Sequence, residues 1–170
     1  MDRLETRRIV LSGMFIALVV VSTFINIPYP GSAGGLMHLG TLMLIIISLK
    51  FGKHYGALAG GIGMGLFDIL GGWMAWAPGT IVVRLLMGYV IGLIAEDKAG
   101  QGSSLIKNII AIICGAIVMI TGYYFYEAIF LTTFKAALLS INGNIAQILI
   151  GFLGLLIIPL VQGIENLNDN

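Results

Sequence analysis

Six polar side chains stand inside or beside long apolar runs of this chain: His38, Asp68, Arg84, Glu127, Asn144 and Gln147. A charge at mid-membrane depth costs roughly 2.5–3.5 kcal/mol on insertion scales, so residues of this kind mark either internal pairing or function. Two carboxylates, a guanidinium, an imidazole and two amides offer donors and acceptors for holding a small ligand rather than for breaking bonds. Neither G-x-x-x-x-G-K-[ST], H-E-x-x-H nor G-x-S-x-G occurs. The chain is therefore expected to bind no ATP through a P-loop and not to be an enzyme. His38 and His54 are expected at opposite ends of the molecule, so they do not share a metal. Cys114 is the only cysteine, which excludes an internal disulfide and a cysteine metal cluster. No cofactor and no nucleic-acid partner is expected.

Spacing groups these residues. Tyr123 and Glu127 are four apart and share one helix face, and Asn144 and Gln147 are three apart and share another. Trp73 and Trp76 lie between Asp68 and Arg84. A pocket with aromatic walls and a few fixed polar groups suits a small aromatic, hydrogen-bonding ligand. The candidate substrate-binding set is thus His38, Asp68, Trp76, Arg84, Tyr123, Glu127, Asn144 and Gln147. Plainer readings stand beside it. Asp68 and Arg84 can neutralise each other as a buried pair, the aromatics can form an interfacial belt, His38 can be a solvent-facing helix start, and Asn144 can be a helix cap. Convergence on one end of the bundle is what favours a site.

The elements that must position these groups follow from composition. The chain is 58% hydrophobic and 10% charged, with a mean hydropathy of +1.02, whereas soluble domains carry about 25% charged residues. Polar residues are too few to cover a water-facing surface, so lipid is the main solvent. The N-terminal apolar run is too long for a signal-peptide core and reads as a permanent span. The expected fold is an all-α integral membrane protein, one transmembrane domain over 1–170, with six spans near 8–27, 38–51, 55–73, 79–95, 105–130 and 145–162. Arg3, Arg7, Arg8, Lys50, Lys53, Lys98 and Lys107 fall on the side of the termini and Lys135 alone on the other, which places both termini in the cytoplasm. The loops at Pro28–Met37 and Gly71–Pro78 and the stretch Thr132–Gly143 then face outward. Glycine is abundant, with 24 residues. Gly56/Gly60, Gly61/Gly65 and Gly88/Gly92 form small-residue stripes expected to pack within the chain, and Gly13/Ala17, on a terminal span, forms one expected to face a partner.

Certain local strings give the chain a likeness. They are the Gly13/Ala17 stripe, Gly34-Gly35-Leu36-Met37-His38-Leu39-Gly40-Thr41, Phe51-Gly52-Lys53-His54-Tyr55-Gly56-Ala57, Asp68, and Trp76-Ala77-Pro78 followed by Arg84 and Gly88. With these the chain resembles, over about Arg7 to Gln162, the S components of energy-coupling-factor (ECF) transporters, closest to the riboflavin-transporter-like branch that includes hydroxymethylpyrimidine and pyridoxine types. The resemblance implies a six-helix subunit in the bacterial cell membrane that captures a vitamin or precursor on its outer side. Its partners would be an EcfT-like transmembrane coupling subunit and two cytoplasmic ATPases. The first position of the family's small-residue motif, usually alanine, is Gly13 here. The rival reading is a stand-alone secondary transporter or channel for a small polar solute. That would usually carry an internal repeat, and none is evident between the halves.

Overall fold

A computed structural model describes residues 2–28, 36–98 and 100–159. Ser32, Gly34 and Gly35 of the outer loop, and residues 160–162 of the expected sixth span, lie outside these. The described elements run α1 (Arg3–Phe24), β1 (Asn26–Pro28), β2 (Leu36–His38), α2 (Gly40–Phe51), α3 (Lys53–Leu70), α4 (Ala77–Ile94), α5 (Leu105–Tyr126), a π-helical turn (Glu127–Leu131) and α6 (Phe134–Gly151).

Helix α2 is the centre of the bundle. Its apolar residues point in all directions, and Leu44 to Leu49 are all buried, as expected of a helix enclosed on every side. Twelve residues make a rod of about 18 Å, short of the bilayer core of about 30 Å. Gly52 turns the chain from α2 into α3 with φ +89°, a left-handed conformation open to glycine at no steric cost. Helices α3 and α4 then lie backbone to backbone. A Cβ at Gly61 would stand 3.0 Å from the Ile81 carbonyl oxygen, and one on Gly88 would collide with the Gly56 carbonyl. The stripes on α3 and α4 are thus consumed in packing inside the chain. Gly13 on α1 differs, because nothing lies within 4 Å of where its Cβ would be.

Four helices among the described residues are long and apolar enough to cross a membrane: Arg3–Phe24, Ala77–Ile94, Leu105–Leu131 and Phe134–Pro159. Helix α2 is apolar but shorter, and α3 is diluted by five glycines and by Lys53, His54 and Asp68. The outward apolar faces of α1, with Val10, Met14, Leu18 and Val21 exposed, suit a lipid environment.

Two expectations need correction. The fold is not purely helical, because β1 and β2 form an antiparallel hairpin pairing Asn26 with His38 and Pro28 with Leu36. Strands of three residues are too short to show a period. The last helix begins at Phe134, well before the expected Ile145, so most of the stretch read as an outer loop is helical. Thr133 starts it by accepting the Ala136 amide, a helix-start arrangement, and Lys135-Ala136-Ala137-Leu138-Leu139 is strongly helix-forming. The Asn142-Gly143-Asn144 cluster that reads as a break is carried inside the helix, with Gly143 buried.

Candidate functional site

The elements converge at the end of the bundle opposite the Lys53 and Lys107 turns. Strand β2, the end of α3, the α3–α4 loop and the inward faces of α4, α5 and α6 line a cavity of about 80 Å³, smaller than the 300–1,000 Å³ typical of sites for drug-sized molecules. All eight residues of the sequence-derived set line it: His38, Asp68, Trp76, Arg84, Tyr123, Glu127, Asn144 and Gln147.

Arg84 is 1% exposed, and each of its nitrogens is engaged. Nε donates to the Tyr123 hydroxyl at 3.1 Å. Nη1 donates to Thr41 Oγ1 at 3.0 Å and lies 3.5 and 3.2 Å from the Met87 and Met119 sulfurs. Nη2 donates to Gln147 Oε1 at 2.8 Å. The guanidinium also sits 5.2 Å from the centre of the Tyr123 ring, a cation–π distance. Neutral dipoles thus satisfy this buried charge. The ion pairs Lys53–Glu96, at 3.4 Å, and Lys107–Asp97, at 2.9 Å, lie at the opposite end. The pairing of Asp68 directly with Arg84 that the sequence left open is therefore not made. Asp68 is reached instead through Thr80, whose side chain hydrogen-bonds it and whose Oγ1 accepts the Tyr123 hydroxyl at 3.1 Å.

Gln147 joins three elements. Its Oε1 accepts from Arg84 and, at 2.8 Å, from the Thr41 hydroxyl, while its Nε2 donates to the Leu36 carbonyl of β2. Glu127, at the first residue of the π-helical turn, is 3% exposed and accepts the Ser140 hydroxyl from α6. The π register shows in the Thr132 amide, which donates five residues back to the Glu127 carbonyl at 2.7 Å; π turns of this kind often mark functional sites. Trp76 packs 6.5 Å, centre to centre, from Tyr123 and ends the tight loop in which Gly72 adopts φ +85°. His38 is buried rather than solvent-facing, with Phe67 beside it.

Two buried polar atoms on residues that line this cavity have no protein partner, His38 Nδ1 and Asp68 Oδ2. Buried polar groups are normally satisfied, so these two unpaired atoms stand out; His38 Nδ1 lies beside Gly40 of α2. Several lining residues were not in the sequence-derived set: Thr80, Ser140, Trp73, Leu36, Phe67 and Gly143. Thr80 was findable, one helical turn before Arg84 on the same face. Ser140 was hidden by the misplaced start of α6. Gly13 and Ala17 do not line the cavity and are exposed on α1.

The family described as ECF-type riboflavin transporter, S component, matches residues 3–166. A thiamine precursor transporter, HmpT, of Lactococcus lactis subsp. cremoris is 25% identical over 170 residues, covering 99% of this chain and 95% of that protein. An uncharacterised protein from the gap 3′ region of Pyrococcus woesei is 32% identical over 107 residues, 63% of this chain and 68% of its own length. The chain belongs to the family of ECF-type riboflavin transporter S components, and is a membrane transport component rather than an enzyme.

Proposed function

We propose that this chain is the substrate-binding subunit of an ATP-driven importer and captures a hydroxymethylpyrimidine- or pyridoxine-like ring from outside the cell. Riboflavin, thiamine and pantothenate are the other members of the class to be tested. The observation that carries the reading is the convergence of His38 and Asp68, each with an unpaired buried polar atom, on the lining of one cavity walled by Trp76 and Tyr123. The likeness to a relative named a thiamine precursor transporter supports the pyrimidine choice. Asp68, Glu127 and His38 hydrogen-bond ring substituents, Trp76 and Tyr123 cover the ring faces, and Asn144 and Gln147 close the α6 side.

The proposed setting is six membrane crossings with both termini in the cytoplasm of a bacterial cell, so that the cavity opens outward. An EcfT-like coupling subunit and two cytoplasmic ATPases complete the transporter, with Gly13 and Ala17 as the face toward the coupling subunit. Open space around Gly13 supports that assignment. The test is mass spectrometry of small molecules retained by the purified protein, followed by calorimetric titration of whatever is found. Retention of a pyrimidine or pyridine vitamin precursor with a Kd weakened roughly ten- to a hundredfold in Asp68→Asn is the expected result. A retained molecule whose binding is indifferent to Asp68, Glu127 and Trp76 substitutions would remove the cavity from consideration.

A further inference from the structure

We propose that the cavity selects by charge: it admits an uncharged or protonated nitrogen heterocycle carrying N–H donors and rejects the phosphate ester of the same ring. This rests on the reading of the cavity as the ligand site. Arg84 is the guanidinium that lines it, but most of its five N–H donors are committed within the protein. It is 1% exposed, Tyr123, Thr41 and Gln147 each accept from one of its nitrogens, and only the second N–H of Nη2 has no acceptor among the described residues. An oxyanion reaching for more than that N–H would have to break hydrogen bonds that satisfy a buried charge. The amino end of α4 offers little more, a single amide at Gly79 that sits against the Tyr126 ring. The Trp76 and Ala77 amides donate to the Trp73 and Met74 carbonyls, and Pro78 has no N–H to give.

The capacity left free is of the opposite kind. Asp68 presents an unpartnered carboxylate oxygen, and His38 an unpartnered imidazole nitrogen. Glu127 adds a second carboxylate, one oxygen of which accepts from Ser140. An amino group or ring N–H finds an acceptor in Asp68. A phosphate would stand beside two carboxylates with no amide cluster and only a single N–H of Arg84 to receive it. Rejection of this kind, by unmatched charge rather than by size, is an efficient way to discriminate closely related ligands. Arg84 is on this account a positioning residue. It fixes Tyr123, Thr41 and Gln147, which in turn shape the wall of the cavity.

The test uses the purified full-length protein and matched pairs: hydroxymethylpyrimidine, pyridoxine, thiamine and riboflavin, each against its monophosphate, with pantothenate as a carboxylate. Calorimetric titration should find binding for at least one unphosphorylated ring and about a hundredfold or more weaker binding for its ester, since like charges brought together are costly. Pantothenate should not bind. Asp68→Asn should narrow the ratio of the two dissociation constants, a readout that general loss of fold does not move. An ester that binds within about tenfold of its parent, or an unchanged ratio in Asp68→Asn, overturns the charge selection and leaves the ligand site standing. Silence from both members of every pair overturns the ligand-site reading and this inference with it.

Discussion

A guanidinium in an apolar interior needs acceptors, and Arg84 finds them in a phenol, a hydroxyl, an amide and two sulfurs rather than in a carboxylate. Losing a hydrogen bond to a charged group costs about 1.5–3 kcal/mol, or roughly ten- to a hundredfold in Kd. Losses of that size are expected for Asp68→Asn and Glu127→Gln, and a smaller one for Trp76→Phe, all by calorimetry on the identified ligand. Wild-type affinity in all three would place binding elsewhere. Arg84→Met should behave differently. It strips Gln147, Thr41 and Tyr123 of a shared partner, so its main effect is a lower thermal unfolding temperature in detergent. Because no direct ion pair joins the two residues, adding Asp68→Asn to Arg84→Met should restore neither stability nor binding. Recovery in the double variant would show that the two charges exist to neutralise each other. The polar members of the site were legible in the sequence because lipid makes each of them costly. What was not legible was who partners whom: Thr41 and Thr80 are ordinary residues on an apolar helix until the fold sets them against Arg84 and Asp68.

At the scale of elements, the close contact of α3 with α4 depends on the absence of side chains. A Cβ at Gly88 meets the Gly56 carbonyl, and one at Gly92 meets the backbone of Gly52 and Lys53. These are backbone atoms that cannot rotate away. Gly88→Ala should therefore destabilise the protein by about 1–3 kcal/mol, the usual cost of overpacking, seen as reduced expression and a lower unfolding temperature. Gly13→Leu is the contrast. With nothing within 4 Å of its Cβ position, it should leave folding and ligand binding intact while impairing uptake and co-purification with a coupling subunit. Normal uptake by Gly13→Leu and by Ala17→Leu would remove α1 as the partner face. The spacing of small residues was readable directly, since close helix approach requires it. Where α6 begins was not, because Asn142-Gly143-Asn144 has the composition of a loop and only its packing, with Gly143 and Gln147 buried, holds it in a helix. The hairpin escaped notice because strands of three residues leave no pattern.

Across the whole molecule, polarity is segregated end to end. The turns between α2 and α3 and between α4 and α5 carry Lys53, Glu96, Asp97 and Lys107, tied in ion pairs. The cavity occupies the other end. If the basic end faces the cytoplasm, a cysteine at exposed Met74 in a Cys114→Ala background should react with an impermeant reagent from outside, and one at exposed Lys98 only after the inner face is opened. The reverse pattern would invert the orientation. Ser140, outward in a simple span diagram, is a poor reporter because it is buried against Glu127. The bridge made by Gln147 carries a consequence for biogenesis. It links α6 to Thr41 across 106 residues and to Leu36 across 111. While the ribosome is still making α5, Arg84 lacks its Gln147 acceptor and β2 lacks its anchor, so an unfinished chain holds a half-satisfied charge in lipid. Assembly of the cavity thus waits for the last helix to enter the membrane, and a nascent chain stalled before Phe134 would expose a buried arginine to the cell's membrane quality control.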